Sequence, residues 1–251
     1  MLEIQHISKS FGGVKGTDDV SLTCPDGSLT AVIGPNGAGK STFFHQISGA
    51  LRPDSGKILL DGVDMVGLKP GEIVRHGIGR AFQVASIFPS LTVEETLLAA
   101  VAADLKRSGE LLKRFPLAET KDRARHAMVM LGLEDKRDRR ASTLSHGDQK
   151  LLDIALALVL EPKVLLLDEP TAGMGPEERW RMIEKVYELW SREKITLVFI
   201  EHDMDIVFKI APRIVVLCYG RVLATGTPDE IRRNPKVIEA YLGTDHAEDA
   251  A

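Results

Sequence analysis

The fold class of this chain is decided by the stretch Gly34-Pro35-Asn36-Gly37-Ala38-Gly39-Lys40-Ser41-Thr42, whose spacing is that of a phosphate-binding loop. It follows the apolar, β-branched run 29–33 and precedes a stretch, 42–50, that reads as a helix. Glycines allow consecutive backbone N–H groups to face one anion, and a helix start adds the positive end of its dipole. Lys40 can then reach β- and γ-phosphates, while the Ser41 hydroxyl can ligate Mg²⁺. The stretch therefore predicts nucleotide binding through residues 34–42.

The overall composition is that of an ordinary globular protein. A chain of 251 residues that is 44% hydrophobic and 27% charged is ordinary for one large globular domain or two small ones. The net charge of −4 offers no electrostatic attraction to nucleic acid, so we expect no nucleic-acid partner. Cys24 and Cys218 are too few and too isolated for a disulfide framework or a zinc site, which suits a reducing cytoplasm.

No segment of the sequence predicts direct insertion into a membrane. The N-terminus lacks the basic segment and apolar core of a signal peptide. The longest apolar candidate, 154–160, falls far short of the roughly 18 residues needed to span a bilayer. Any membrane role would therefore depend on a partner.

The order of elements predicts an α/β protein. Apolar strands alternate with helices, which favours a P-loop NTPase-type, mostly parallel sheet flanked by helices. Residues 1–34 have the alternating pattern of several strands. We therefore expect an N-terminal antiparallel β subdomain. From about Thr92 to Arg140 helical spacing prevails, so we expect a helical subdomain, approximately 92–160, inserted in the core. The remaining predicted elements are helix 146–160, strand 163–167, helix 176–191, strands 195–200 and 213–218, a final helix near 228–241, and a disordered tail over 244–251.

An apolar strand ending in two carboxylates follows later in the chain, at Val164-Leu-Leu-Leu-Asp168-Glu169-Pro170. In parallel-sheet folds, ligands bind beyond the carboxyl ends of the strands. Asp168 is then placed to hold Mg²⁺, directly or through water, and Glu169 to polarise an attacking water. The alternative is a surface turn, because Asp-Glu-Pro is ordinary turn chemistry.

A second helix start suited to phosphate is predicted at Leu144-Ser145-His146-Gly147-Asp148-Gln149. Ser145 is a plausible N-cap, and apolar residues follow at helical spacing. The alternative is a cap without a ligand, since most such helix starts are simply caps.

Together these residues resemble the ATP-binding-cassette (ABC) ATPases, and the resemblance covers residues 2–243. It implies a single ATPase domain over 1–243. The motifs stand in the family's order, with the phosphate loop at 34–42, Gln83 in Ala81-Phe82-Gln83, the signature at 144–149, the acidic strand end at 164–169 and His202 after Phe199-Ile200. The resemblance implies that Phe11 stacks on adenine, that Gln83 contacts metal and water, and that His202 senses the γ-phosphate. It also implies a head-to-tail dimer, in which Ser145 and Gly147 of one chain cap the ATP of its partner.

Single residues have other interpretations. His202 could be a helix cap, Gln83 a solvated polar residue, and Phe11 a core residue. The sequence also departs from the family's usual Leu-Ser-Gly-Gly-Gln signature, with His146 and Asp148 at two of its positions. Because Asp148 would repel phosphate, we expect its side chain to point away from the ligand. Gly175 stands where the family often carries an Asp.

Several segments resemble the branched-chain amino-acid importer subgroup of this family. They are 171–174, 200–204, 226–230 and 234–243, together with the variant signature. The segment 80–93 is similar instead to the one by which importer ATPases bind a short helix of a membrane subunit, and its part 84–92 carries the apolar residues Ile87, Phe88 and Leu91. The resemblance implies an ATP-hydrolysing subunit at the cytoplasmic face of the inner membrane. Its partners would be integral-membrane permease subunits, a second ATPase chain, identical or different, and indirectly a solute-binding protein. Urea or amide import, lipopolysaccharide-type export, and a non-transport role on ribosomes or DNA remain alternatives.

Overall fold

A computed structural model of the chain describes residues 1–81, 87–104 and 118–248, with side chains described except at 118, 119 and 242–248. The strands are β1 (Leu2–Phe11), β2 (Val14–Cys24), β3 (Leu29–Ile33), β4 (Ser55–Leu60), β5 (Val63–Asp64), β6 (Ile78–Ala81), β7 (Val164–Asp168), β8 (Thr196–Ile200), β9 (Arg213–Cys218) and β10 (Arg221–Gly226). The helices are α1 (Lys40–Ile47), α2 (Pro70–His76), α3 (Val93–Asp104), α4 (Ala118–Leu131), α5 (His146–Leu158), α6 (Pro176–Glu193), α7 (Met204–Ile210), α8 (Pro228–Arg233) and α9 (Pro235–Glu248). Short 3₁₀ turns lie at Glu134–Lys136 and Ala141–Thr143.

The chain divides into two compact units, residues 1–76 with 196–251 and residues 77–195. The first unit contains an antiparallel sheet of order β2-β1-β4-β5. This confirms an N-terminal antiparallel subdomain, but β3, which lies within 1–34, pairs in parallel instead, and the sheet is completed by β4 and β5. Its inward-facing positions are apolar and buried, as the alternating pattern of residues 1–34 requires.

The first unit also contains a set of strands built around β3. This strand pairs in parallel with both β8 and β9, and β10 continues from β9 as an antiparallel neighbour. All five residues of β3 and of β8 are buried, which explains their continuous apolar sequence. The register places Val32 beside Ile200, so the segments that follow β3 and β8 leave the sheet at the same edge.

The second unit combines a parallel strand pair with helices. Strand β6 pairs with β7 from Ile78 and Val164 to Ala81 and Leu167. Helices α3, α4 and α5 contact one another, and α6 packs on α4 and α5. Helices are thus present within the predicted helical subdomain 92–160, and the parallel pairs of both units confirm the α/β fold class.

The C-terminal region differs from the sequence-based expectation. The helix predicted near 228–241 is two helices, because Asn234 adopts an extended conformation before Pro235, which has no backbone N–H to continue α8. Helix α9 runs to Glu248, so the backbone of 244–248 is helical in the stretch expected to be disordered; 249–251 lie outside the described residues. Within the described part of the chain, no helix has the length and apolar character needed to cross a bilayer.

Candidate functional site

The loop between β3 and α1 has a backbone that only glycine can adopt at two positions. Gly34 has φ 153° and Gly39 has φ 98°, both in the region that disfavours side chains. A Cβ atom on Gly34 would lie 2.1 Å from the carbonyl oxygen of Leu217, and one on Gly39 would lie 2.1 Å from that of Gly16. Gly34 and Gly39 are therefore required for two reasons: the turn needs their positive φ, and neighbouring backbone carbonyl groups leave no space for a side chain.

The ammonium group of Lys40 is buried within the loop. Lys40 is only 7% exposed, and its Nζ donates hydrogen bonds to the carbonyl oxygens of Gly34, at 2.6 Å, and Pro35, at 3.0 Å. Gly39 is the N-cap of α1, and no side chain from the described residues caps this helix start. Because the first-turn N–H groups and a buried ammonium share one loop, the loop suits a phosphate group.

The aromatic side chain of Phe11 lies beside this loop. A Cβ atom on Gly16 would lie 2.8 Å from Phe11 Cε2 and 2.9 Å from Thr42 Cγ2, so the ring and the start of α1 flank the same glycine. The Phe11 residue is 49% exposed, which excludes the interpretation as a core residue. An open aromatic face next to a phosphate-binding loop is suited to stacking on a base.

The turn between β9 and β10 also contacts the loop, a feature that the sequence did not indicate. The Gly220 N–H donates to the Ala38 carbonyl at 3.0 Å, and the Asp18 N–H donates to the Gly220 carbonyl at 2.7 Å. Hydrogen bonds from Lys15 and Arg221 hold the pKa of the Asp18 carboxyl below its usual range. This ion-paired carboxylate fixes the turn against the loop.

His202 follows β8, at the edge of the sheet from which the phosphate loop also leaves. The cap of α7 is Asp203, whose Oδ1 accepts from the N–H groups of Asp205, at 3.1 Å, and Ile206, at 3.3 Å. The alternative interpretation of His202 as the helix cap is therefore wrong. The side chain of His202 is exposed at this edge.

In the second unit, β7 ends in the two predicted carboxylates. Asp168 forms an ion pair with Arg80 at 2.7 Å, and their side chains are only 8% and 6% exposed. Glu169 has φ 47°, a left-handed conformation that is unusual for a residue with a side chain and costs about 1–3 kcal/mol. This backbone conformation directs the chain out of β7 directly after the buried Asp168.

The helix start of α5 has the predicted cap. Ser145 Oγ accepts from the Asp148 N–H at 3.2 Å, which leaves its hydroxyl hydrogen free to be donated. Asp148 Oδ1 lies 2.8 Å from Lys136 Nζ, so its charge is neutralised by a lysine of the same unit. A Cβ atom on Gly147 would lie 2.3 Å from Glu178 Oε1, and this close carboxylate explains why the position is glycine.

The residues predicted to hold Mg²⁺ are Ser41, Gln83 and Asp168. Gln83 lies outside the described residues, so its roles as a metal and water contact stay predictions. In the parts of the chain that the structure describes, no group of three or more His, Cys, Asp or Glu residues gathers as a metal site. The Ser41 hydroxyl and the second carboxylate oxygen of Asp168 are nevertheless of the hard oxygen type that Mg²⁺ prefers, and Mg²⁺ usually completes its shell with phosphates and water.

Tyr241 on α9 is a further residue that the sequence did not indicate as part of this region. Burial raises the pKa of its phenol to about 12. Tyr241 lines an apolar pocket together with Ile33, the last residue of β3, so α9 lies beside the point where the phosphate loop leaves the sheet. Neither helical periodicity nor a motif could have revealed this pairing of positions 33 and 241.

Two family models match the sequence. The model described as "ABC transporter" matches residues 17–172, and the model described as "Branched-chain amino acid ATP-binding cassette transporter" matches 221–247. The fold, the phosphate loop and the acidic strand end agree with these two matches. The chain belongs to the ABC transporter family of ATP-binding cassettes.

Curated relatives match over nearly the whole length. The chain is 41% identical to the high-affinity branched-chain amino acid transport ATP-binding protein LivG of Salmonella typhimurium and 40% identical to that of Escherichia coli, in each case over 97% of this chain and 98% of the relative. It is 38% identical, with the same coverage, to the corresponding protein BraF of Pseudomonas aeruginosa.

Solved structures share the fold. A nucleotide-free ATP-binding cassette from an ABC transporter superposes with a TM-score of 0.83 at 33% identity, covering 96% of this chain and 98% of that one. The ADP conformation of an ATP-binding cassette of an ABC transporter has a TM-score of 0.83 at 32% identity, covering 97% and 98%.

Proposed function

We propose that this chain is the ATP-hydrolysing subunit of an importer for branched-chain or related amino acids. The observation that carries the proposal is the match of residues 221–247 to the branched-chain cassette family, together with 41% identity to a LivG protein over nearly the full length. This segment includes Tyr241, which lines a pocket with Ile33 at the end of β3, directly before the phosphate loop.

ATP binding is assigned to the first unit. Phe11 would stack on the adenine, and residues 34–42 would surround the phosphates with backbone N–H groups. Lys40 would exchange its present bonds to Gly34 and Pro35 for bonds to phosphate oxygens. His202 would sense the γ-phosphate from the edge of the sheet that it shares with the loop.

Hydrolysis is assigned to the carboxylates of the second unit. Glu169 would polarise the water that attacks the γ-phosphate in line. Ser41, Asp168 and Gln83 would hold Mg²⁺, which supplies charge neutralisation on the phosphates. The Arg80 ion pair orients the Asp168 carboxylate at the end of β7.

The working assembly would contain two cassettes. Ser145 and Gly147 of one chain would complete the nucleotide site of a second ATPase chain, identical or different. Integral-membrane permease subunits would hold this pair peripherally at the cytoplasmic face of the inner membrane, and a solute-binding protein would act through those subunits. No nucleic-acid partner is proposed, because the net charge is −4.

The test begins with a pull-down from detergent-solubilised membranes. Recovery of a multi-spanning protein supports the transport role, whereas recovery of ribosomes would contradict it. The recovered complex is then reconstituted in vesicles with ATP and a solute-binding protein. We expect uptake of labelled leucine that stops when Glu169 is replaced by Gln; uptake of urea or amides alone would refute the amino-acid assignment.

A further inference from the structure

The loop that follows Glu169 is a tight turn of the second unit. The Ala172 N–H donates to the Glu169 carbonyl at 3.1 Å, and the Met174 N–H donates to the Thr171 carbonyl at 3.2 Å. Gly175 is the N-cap of α6, without a side-chain cap from the described residues. The backbone of this loop, residues 171–175, is therefore hydrogen-bonded directly to Glu169.

Side chains from two helix starts bind this loop. His146 Nε2 lies 3.3 Å from the Ala172 carbonyl oxygen, and a Cβ atom on Gly173 would lie 3.4 Å from the same nitrogen. Arg179 Nε donates to the Met174 carbonyl at 2.8 Å. Because a carbonyl oxygen can only accept, Nε2 is the ring nitrogen that carries hydrogen in this contact.

The helix that carries His146 is itself fixed within the unit. Lys136 holds Asp148 at 2.8 Å, and Glu178 packs against Gly147. His146 therefore extends from an anchored helix start to the loop. The glycine that the ABC family usually has at this position has no side chain to make this bond.

We propose that His146 is a positioning residue that ties the loop 171–175 to the start of α5 in the same chain. The inference rests on the proposed function, in which α5 caps a partner's ATP and Glu169 acts on the chain's own nucleotide. A change at the capping helix start is then transmitted to the loop beside the catalytic carboxylate. His146 acts through the loop backbone and contacts neither the nucleotide nor the water.

The test compares His146→Ala with His146→Gln, whose amide N–H has a similar reach. We expect His146→Ala to lower kcat about three- to tenfold, the scale of one lost hydrogen bond, with KM for ATP and the thermal midpoint unchanged. His146→Gln should restore most of the rate. Amide hydrogen exchange should become faster at 172–174 in the Ala variant, and should stay unchanged within α5.

His126→Ala is the matched control, because His126 Nε2 also makes one side-chain bond, 2.9 Å from Glu193, in the same unit. It should change neither kcat nor exchange at the loop. Wild-type kcat and exchange in His146→Ala would overturn the inference while leaving the proposed function intact. A wild-type protein without Mg²⁺-dependent ATPase activity would refute the proposed function, and the exchange measurement would still test the loop contact.

Discussion

At the scale of single residues, the buried ammonium of Lys40 is the charge on which nucleotide binding should depend. Replacing Lys40 by Ala removes a charge-assisted contact to phosphate, so we expect ATP affinity to fall by on the order of tenfold or more. A calorimetric titration measures this. Lys57→Ala is the control, because Lys57 is exposed on β4 of the same unit; unchanged affinity in Lys40→Ala would mean that the loop is only structural.

Glu169 should be needed for the chemical step rather than for binding. Its left-handed backbone follows the buried strand β7, an arrangement that fixes the position of the carboxylate. We expect Glu169→Gln to keep ATP affinity while turnover falls by about 10²–10⁴, the scale for loss of a general base. Steady-state ATPase assays with Glu177→Gln as an exposed control decide this, and wild-type turnover would refute the assignment.

At the scale of elements, one ion pair joins the neighbouring strands β6 and β7. Removing Arg80 leaves the Asp168 carboxylate buried without its cation, so Arg80→Ala should lower the free energy of unfolding by about 3–5 kcal/mol. Denaturant unfolding measures this. The control is Arg137→Ala, which loses an exposed pair with Asp138, where side chains are 57% and 79% exposed, and should have little effect. Equal stabilities of the two variants would contradict this role.

Long apolar runs made most of the parallel strands predictable, whereas short elements were not. Strand β6 reads Ile-Gly-Arg-Ala, and neither its length nor its composition indicates a strand; only pairing with β7, more than eighty residues later, defines it. Helix α2 was not predicted, and α8 was predicted as one helix with α9. Both α2 and α8 are short, and six or seven residues give little periodicity. Propensity alone also did not extend α9 to Glu248.

The site was predictable where local chemistry defines it. The glycines of the phosphate loop and the Ser145 cap follow from neighbours within a few residues, and the structure has both. The Arg80–Asp168 pair and the contact of Gly220 with Ala38 join residues far apart in sequence. No local pattern encodes such contacts, so the structure was needed to find them.

At the scale of the whole molecule, dimerisation should require ATP, because the proposed second chain completes each nucleotide site. We expect Glu169→Gln to be monomeric without nucleotide and dimeric with MgATP in size-exclusion chromatography. Adding Ser145→Arg should abolish that dimer, since a bulky cation replaces the small hydroxyl at the α5 start. Adding Ser142→Arg, an exposed position three residues earlier, should not. A dimer indifferent to nucleotide and to Ser145 would refute the arrangement.

The surface for a membrane partner is predicted at the segment 84–92, of which 87–92 are described. Phe88 is 52% exposed, while Ile87 and Leu91 are partly buried. The backbone at Phe88 is held in place, because its carbonyl accepts from the Leu91 N–H at 3.1 Å and the Leu91 carbonyl accepts from the Ala141 N–H at 2.9 Å. An exposed aromatic ring on a fixed turn suits an interface anchor rather than the core.

Phe88→Ala should therefore separate assembly from catalysis. We expect the isolated subunit to keep its ATPase activity, while binding to the membrane subunits weakens by about 2 kcal/mol or more because a hot-spot side chain is lost. Basal ATPase in solution and transport in reconstituted vesicles are measured together, with Val129→Ala, an exposed apolar residue of α4, as control. Loss of both activities would identify Phe88 as structural, and retention of both would exclude it from the interface, since an exposed ring that contacts no partner contributes little.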